Sequence, residues 1–350
     1  MTQTNFEVVR IAVVASPVTP LRPAQVGGAQ AFVCDLAAGL AGRGHDVALY
    51  CAEGSDVPGV RLVTVPAPLD AAQALVMPGR SQPPSHAPGV VAALEAMFAL
   101  IARDRPDAVS QHAFDAPAFE LAREMPVLHT LHLPPIVDTV VAAASHVEPS
   151  RLATVSESCR EAWRGVGVEV PQVLFNGVPD APPDGSPEHA ALVAGRISPE
   201  KGIEHALAAA HATGLSVRVA GSHYDPAYAL DLRGAERLGA LPRSELLRVM
   251  GRSAVTICAV RWDEPFGMVA AEAQMAGCPV AAYRRGAMPE VVEDAVSGFL
   301  ASPDDVDALS EAVRHCLDLD RAAVRASARR RLSLDAALDR YEQALQRAAG

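Results

Sequence analysis

The feature that most constrains this chain is an alternation of two unlike patterns. Val8-Val9-Arg10-Ile11-Ala12-Val13-Val14-Ala15 is a near-continuous apolar run rich in β-branched residues. A strand with water on one face alternates apolar and polar side chains, so this run predicts a strand buried on both faces. A Pro- and Gly-rich loop follows from Pro17 to Gly28. Val33, Leu36, Ala37 and Leu40 then repeat at helical spacing until Gly44 stops them. Asp46-Val47-Ala48-Leu49-Tyr50-Cys51 predicts the next strand. Strand, helix, strand with both strands buried is a βαβ unit, which implies a parallel sheet and a right-handed crossover.

The rhythm continues with strands predicted over residues 61–65, 107–110, 127–131 and 152–155. Residues 77–89 read M-P-G-R-S-Q-P-P-S-H-A-P-G, which predicts a long loop, a surface insertion or a wall of a substrate site. A second breaker cluster, 171–187, divides the chain almost in half. Beyond it, strands are predicted over 190–194, 217–220, 255–259 and 279–282, and helices over 203–212, 244–250, 269–276 and 306–317. The expectation is two Rossmann-like α/β domains in tandem, which 350 residues accommodate.

Charge narrows the function classes. Lys and Arg number 30 against 41 Asp and Glu, a net charge of −11. An acidic chain is a poor nucleic-acid binder unless its cations are segregated, and the one basic block, Arg329-Arg330-Arg331, reads as a solvated helix face. No run approaches the ~18 apolar residues that span a bilayer, and residues 1–10 lack the pattern of a secretory leader. The six cysteines form no C-x-x-C pair, so reduced thiols in a cytoplasmic protein are expected.

Four segments carry chemistry. In Trp262-Asp263-Glu264-Pro265-Phe266-Gly267-Met268-Val269-Ala270-Ala271-Glu272, a strand ends, a turn follows and a helix begins. Glu264 falls in the loop beyond the strand's carboxyl end, where open α/β sheets bind ligands, and Glu272 lies about one turn into the helix. Backbone N–H groups at that helix start suit a diphosphate or a sugar hydroxyl; an acidic pair complementing the helix dipole is the bland alternative. In Gly195-Arg196-Ile197-Ser198-Pro199-Glu200-Lys201-Gly202, two cations stand at a helix N-terminus against its dipole, which an anionic ligand between them explains. Ion pairing with Glu200 or Glu204 is the alternative. Gly27-Gly28 allows close backbone approach to a ligand, although it is not G-x-G-x-x-G, and Glu53 is only a loose echo of a ribose-binding acid. His132 falls at the end of a buried strand facing the same crevice, while His129 points to the opposite side, so the two do not form a metal site. His86, His112 and His223 fall in loops and stay unassigned.

Together these segments resemble the family-4 retaining glycosyltransferases of the GT-B class. Glu264 and Glu272 look like the family's E-x7-E motif, and Gly195-Arg196 with Lys201-Gly202 like its phosphate clamp. Ala276-Gly277-Cys278-Pro279-Val280, then Gly286, Glu290 and Gly298-Phe299, are similar to its downstream pattern, as Asn176-Gly177-Val178 is to its domain junction. The run Cys258-Ala259-Val260-Arg261-Trp262-Asp263 departs from many members and resembles bacterial ones acting on small molecules, including pterin glucosyltransferases.

The resemblance implies two Rossmann-like domains facing a cleft: 1–174 binding the acceptor, 175–333 binding the nucleotide sugar, and a last helix at 334–350 packing back on the first. Arg196 and Lys201 would hold the donor diphosphate, helped by the Gly27-Gly28 backbone. Glu272 would hold the ribose hydroxyls. Glu264 and the N–H groups of Phe266, Gly267, Met268 and Val269 would hold the sugar hydroxyls, and His132 would contact the sugar near the reacting centre. His132, Glu264, Arg196 and Lys201 are thus the expected catalytic set. The cations stabilise the departing diphosphate, so no metal and no cofactor are expected. With no clear nucleophilic carboxylate, front-face attack by the acceptor is expected, the phosphate taking its proton. UDP-glucose or UDP-N-acetylglucosamine is the expected donor and a soluble small molecule the expected acceptor. A nucleotide-sugar epimerase and a non-catalytic sugar-nucleotide binder are the rival readings. The E-x7-E geometry argues against the first, and the complete polar set against the second.

Overall fold

The computed structural model describes residues 8–22, 27–74, 87–181, 185–223, 228, 230–232 and 234–349. Most of the breaker-rich loop, residues 77–86, lies outside them, as do Val26, His86, Pro182 and Pro183.

Among the described residues the chain forms two all-parallel sheets. The first contains β1 (Arg10–Val14), β2 (Asp46–Ala52), β3 (Arg61–Val65), β4 (Ala108–Gln111), β5 (Val127–Leu131), β6 (Leu152–Thr154) and β7 (Gln172–Val173), ordered β3-β2-β1-β4-β5-β6-β7. Its helices are α1 (Gly28–Gly42), α2 (Pro88–Asp104), α3 (Ala116–Leu121), α4 (Asp138–Ala144) and α5 (Glu157–Gly165). The second contains β8 (Glu188–Ala194), β9 (Ser216–Ala220), β10 (Ala235–Gly239), β11 (Ser253–Cys258), β12 (Val280–Tyr283) and β13 (Gly298–Ala301), ordered β10-β9-β8-β11-β12-β13. Its helices are α6 (Ile203–Ala212), α7 (Arg243–Arg252), α8 (Met268–Met275), α9 (Met288–Val291), α10 (Val306–Cys316) and α11 (Arg321–Arg331); α12 (Leu334–Ala349) ends the chain. Both orders are the doubly wound Rossmann arrangement.

The buried strand runs explain the layering. Along β1, Ile11 and Val13 face one way, with Phe32, Leu36 and Leu40 of α1. Ala12 and Val14 face the other way, with Val90, Leu94, Met97 and Ile101 of α2. A strand covered on both faces has no polar side to show, hence its unbroken apolar sequence.

The chain passes between the sheets twice, side by side. The Val178 N–H donates to the Leu332 carbonyl and the Leu334 N–H donates to the Val178 carbonyl, each at 2.9 Å. Gly177 permits this: a Cβ there would lie 2.6 Å from both Leu334 Cα and the Ser333 carbonyl oxygen. Helix α12 then returns to the first sheet and packs on α1, β4 and β5. Tyr341 is fully buried there, its ring centroid 5.5 Å from that of Phe32. Arg43 bridges Asp339 at 2.7 Å and Glu342 at 2.8 Å.

Several sequence expectations need correction or refinement. Arg329 and Arg330 are exposed as expected, but Arg331 turns inward and donates to the Val291 and Glu290 carbonyls at the end of α9. Asp305 and Asp320 cap α10 and α11 by accepting from the Ala308 and Ala322 N–H groups. Lys201 does not begin a helix. It ends a 3-10 turn, Pro199–Lys201, and Gly202 separates it from α6. All six cysteines are unpaired, and all but Cys34 are buried. Among the described residues no helix is long and apolar enough to cross a membrane.

Candidate active site

In a doubly wound sheet the loops diverge where the strand order reverses, leaving a crevice at the carboxyl ends. That reversal lies between β1 and β4 in the first sheet and between β8 and β11 in the second. A cavity of about 380 Å3 sits between the two sets of loops. Ala15 and Ser16 follow β1 into its wall, His112 follows β4 and His132 follows β5. Opposite them stand Gly195 and Arg196 after β8, Gly221 after β9, and Trp262 and Glu264 after β11. The carboxyl ends of the two sheets therefore face each other across one cleft.

Its cationic wall is built on a glycine. Gly202 has φ of 58°, and a Cβ there would lie 2.0 Å from the Ala259 carbonyl oxygen. The turn after β8 thus abuts the end of β11, which brings Lys201 to Glu264. Lys201 Nζ lies 2.7 Å from Glu264 Oε2, and the indole N–H of Trp262 donates to the same oxygen at 2.7 Å. The ammonium also stands 5.7 Å from the Trp262 ring centroid. Glu264 Oε1 has no hydrogen-bond partner among the described residues. Arg196 makes the ion pair that was the bland alternative, 3.4 Å from Glu200 Oε1, which also accepts from Ser198 Oγ at 2.6 Å. The pair is long for a charge-assisted bond and leaves most of the guanidinium's donor capacity unused by Glu200.

Helix α8 begins beside this wall with Gly267 at its N-cap and no side chain capping it. Its first N–H groups have no intrahelical carbonyl to meet, so they are open to an anion or a hydroxyl. Neither Glu264 nor Glu272 lies in the first turn of α8, so dipole compensation does not account for them. From the other side of the cleft the glycine loop closes on this point: a Cβ on Gly28 would meet Met268 Cγ at 2.9 Å. Gly27 and Gly28 line the cavity with Phe266, Gly267, Met268, Val269 and Glu272. Glu53 lies exposed outside it.

Glu272 is buried and its partner was not foreseen. Arg243 of α7 donates through Nε to Glu272 Oε1 at 2.7 Å and through Nη1 to Asp35 Oδ2 on α1 of the opposite lobe. Burial pushes both carboxyls upward and the guanidinium opposes it. Burial alone would lower Arg243, but Glu272 and Asp35 outweigh it and hold it charged. Asp35 sits among Cys34, Leu36 and Ala37, so its one available signal was a lone charge on an apolar helix face.

His132 is where the sequence placed it, and His112, unassigned from the sequence, stands beside it in the loop after β4. The His112 Nδ1 lies 2.8 Å from His132 Nε2, and its Nε2 lies 2.8 Å from Ser110 Oγ. Burial pushes His132 down to about 4, and burial with the neighbouring ring holds His112 well below the usual range, so both rings are neutral at pH 7. His129 points away as expected and stacks on Phe119, centroids 4.6 Å apart. His132 Nδ1, Asn176 Oδ1 and Arg243 Nη2 are buried without a partner among the described residues, and all three side chains belong to residues lining the cavity. Polar atoms that the protein itself leaves unsatisfied around one cavity are available to a polar ligand.

Two Rossmann-like lobes with opposed carboxyl ends and an N-terminal lobe completed by the last helix are the arrangement of the GT-B glycosyltransferases. Residues 26–181 match the family model described as Glycosyltransferase Family 4, and residues 183–332 match that for Glycosyl transferases group 1. The chain belongs to the family-4 GT-B glycosyltransferases and is a glycosyltransferase. Glycogen synthase of Mycobacterium tuberculosis is 28% identical to it over 373 residues, covering 89% of this chain and 88% of that enzyme. D-inositol 3-phosphate glycosyltransferase of Mycolicibacterium smegmatis is 34% identical over 183 residues, 46% of this chain and 42% of its own. Among solved structures, Anabaena HepE in complex with UDP-glucose superposes with a TM-score of 0.75 at 17% identity, covering 97% of this chain and 100% of that one. AviGT4, a glycosyltransferase involved in avilamycin A biosynthesis, gives 0.72 at 22% identity, covering 98% of each.

Proposed function

We propose that this enzyme transfers a hexose, with retention, from a nucleotide sugar to a soluble small-molecule acceptor in the cytoplasm. The observation that carries the reading is the meeting of Lys201, Glu264 and the open start of α8 with Gly28 of the opposite lobe. A cation, an acceptor oxygen and free N–H groups converge where a sugar diphosphate presents an anion beside hydroxyls. UDP-glucose or UDP-N-acetylglucosamine is the proposed donor, in line with the UDP-glucose bound by HepE.

In this reading Arg196 and Lys201 flank the diphosphate and the Gly27-Gly28 backbone approaches it. Glu272 accepts from the ribose hydroxyls. Glu264, through Oε1, and the N–H groups of Phe266 to Val269 hold the sugar hydroxyls. His132 offers its unpartnered Nδ1 to the sugar. As the glycosidic bond breaks, negative charge grows on the diphosphate, and preorganised cations stabilise it without reorganising. Neither a metal nor a cofactor is proposed. The acceptor attacks from the face the diphosphate leaves, and a phosphate oxygen takes its proton. Asn176, Phe114 and Leu133 also line the cleft.

Binding of UDP, dTDP, GDP and ADP to wild type and to the Arg196→Ala/Lys201→Ala double variant tests the donor site. One nucleoside diphosphate binding to wild type and not to the variant is the expected result. Equal binding by the two proteins would displace the site. An inverted anomeric configuration in the product, read by NMR, would overturn the front-face mechanism.

A further inference from the structure

Glu272 is the proposed ribose ligand, yet part of its electrostatic setting comes from the other lobe. Arg243 touches it with Nε at 2.7 Å and reaches Asp35 with Nη1. The three side chains are only 8%, 18% and 17% exposed for Glu272, Arg243 and Asp35. One guanidinium therefore serves two carboxylates, and the group carries a net charge of −1 when all three are ionised. A buried cluster with a surplus acceptor favours an incoming hydrogen-bond donor. Glu272 lines the cavity, and its Oε2 has no hydrogen-bond partner among the described residues.

Without Asp35, the planar guanidinium would be free to close on Glu272 with two parallel bonds, the geometry Arg and carboxylate prefer. That closure would occupy both oxygens. Asp35, by holding Nη1 from across the cleft, keeps the guanidinium turned so that Nη2, the donor that shares the Nε edge, meets no carboxylate oxygen among the described residues. Asp35 lies two helical turns beyond Gly28 on α1, so the element that approaches the diphosphate also carries the residue that orders Glu272.

We propose that Asp35 is a specificity-determining residue for the ribose of the donor nucleotide, acting through Arg243 so that Glu272 keeps one oxygen for the ribose hydroxyls. The proposal rests on the donor-site reading above. It makes Asp35 a positioning residue with no ligand contact of its own, contributed by the lobe opposite the nucleotide.

The test is calorimetric binding of UDP and 2′-deoxy-UDP to wild type, Asp35→Asn and Arg243→Lys, each full length and checked by melting. Wild type is expected to prefer UDP about tenfold, the worth of one hydrogen bond to a charged group. Asp35→Asn keeps shape and removes charge; it should lose about tenfold in UDP affinity and little in 2′-deoxy-UDP affinity, so that the preference collapses. Arg243→Lys, which cannot fork onto both oxygens of Glu272, should keep the preference for UDP, alone or combined with Asp35→Asn, and this covers the case in which Asp35→Asn alone fails to fold. An unchanged preference in Asp35→Asn, a collapsed preference in Arg243→Lys, or an equal loss for the two nucleotides would overturn the proposal while leaving the donor site standing. If wild type binds neither UDP nor any other nucleotide of the panel, the donor-site reading itself fails.

Discussion

Replacing Lys201 by Ala separates a ligand-binding cation from a structural ion pair. Two unit charges ~4 Å apart at an effective dielectric of ~20 attract by ~4 kcal/mol. The Lys201 side chain is 19% exposed, so water screens part of that. Taking about half gives ~2 kcal/mol for its attraction to a diphosphate, roughly thirtyfold in affinity. The stability cost is smaller. Glu264 keeps the Trp262 indole N–H at 2.7 Å and is not stranded when the ammonium leaves. About 1 kcal/mol is then expected, or at most about 3 °C in Tm for a chain of this size. Calorimetry with UDP and with uridine reads the difference. UDP affinity should fall roughly thirtyfold while uridine, which has no phosphate, binds the variant as it binds wild type. A variant with wild-type UDP affinity and a Tm lowered by 8 °C or so would refute the reasoning, because Lys201 would then serve only Glu264.

His129 is pushed by burial down to about 3, far below its unfolded value. Between pH ~6.5 and that value the unfolded chain holds a proton that the folded state refuses, so this group's contribution is present at neutral pH and lost as pH falls. His129→Leu should flatten the pH dependence of unfolding free energy across that window; an unaltered slope would show that His129 titrates normally. Gly177→Ala places a Cβ against Leu334 Cα, the Ser333 carbonyl and Ala337 Cβ, and should destabilise by about 1–3 kcal/mol. An unchanged denaturation midpoint would mean the two crossings are not in contact in solution.

The fold was legible where one physical requirement governed several residues at once. The β1 run and the restart at residue 190 follow from burying a strand on both faces, and the helical repeat from Val33 to Leu40 from burying one face of a helix. Strand β10 escaped because Ala-Glu-Arg-Leu-Gly lies at a sheet edge, where no burial demands β-branched residues. Strands β7 and β13 also lie at sheet edges, and β7 spans only two residues. In the site, Glu264, Glu272, Arg196, Lys201 and Gly28 stood out because their spacing is fixed within one strand-loop-helix segment. Arg243, Asp35 and His112 did not, because each acts across 20 to 237 residues of sequence. The pairing of β4 with β5 brings His112 to His132, the packing of α7 beside α8 brings Arg243 to Glu272, and only the meeting of the two lobes brings Asp35 to Arg243.

Helix α12 also sets an order of events during synthesis. The first sheet is complete in sequence by Val173, yet part of its packing is supplied by Ala337, Leu338, Tyr341 and Leu345. On a ribosome the first lobe would emerge whole and wait with an apolar strip uncovered while the second lobe is made. The contact joining Arg43 to Glu342 spans 299 positions, and it can form only near the end of that process. Long-range closure of this kind slows folding and leaves the early lobe open to unintended partners. A cut between the sheets would therefore release a first half deprived of its own last wall.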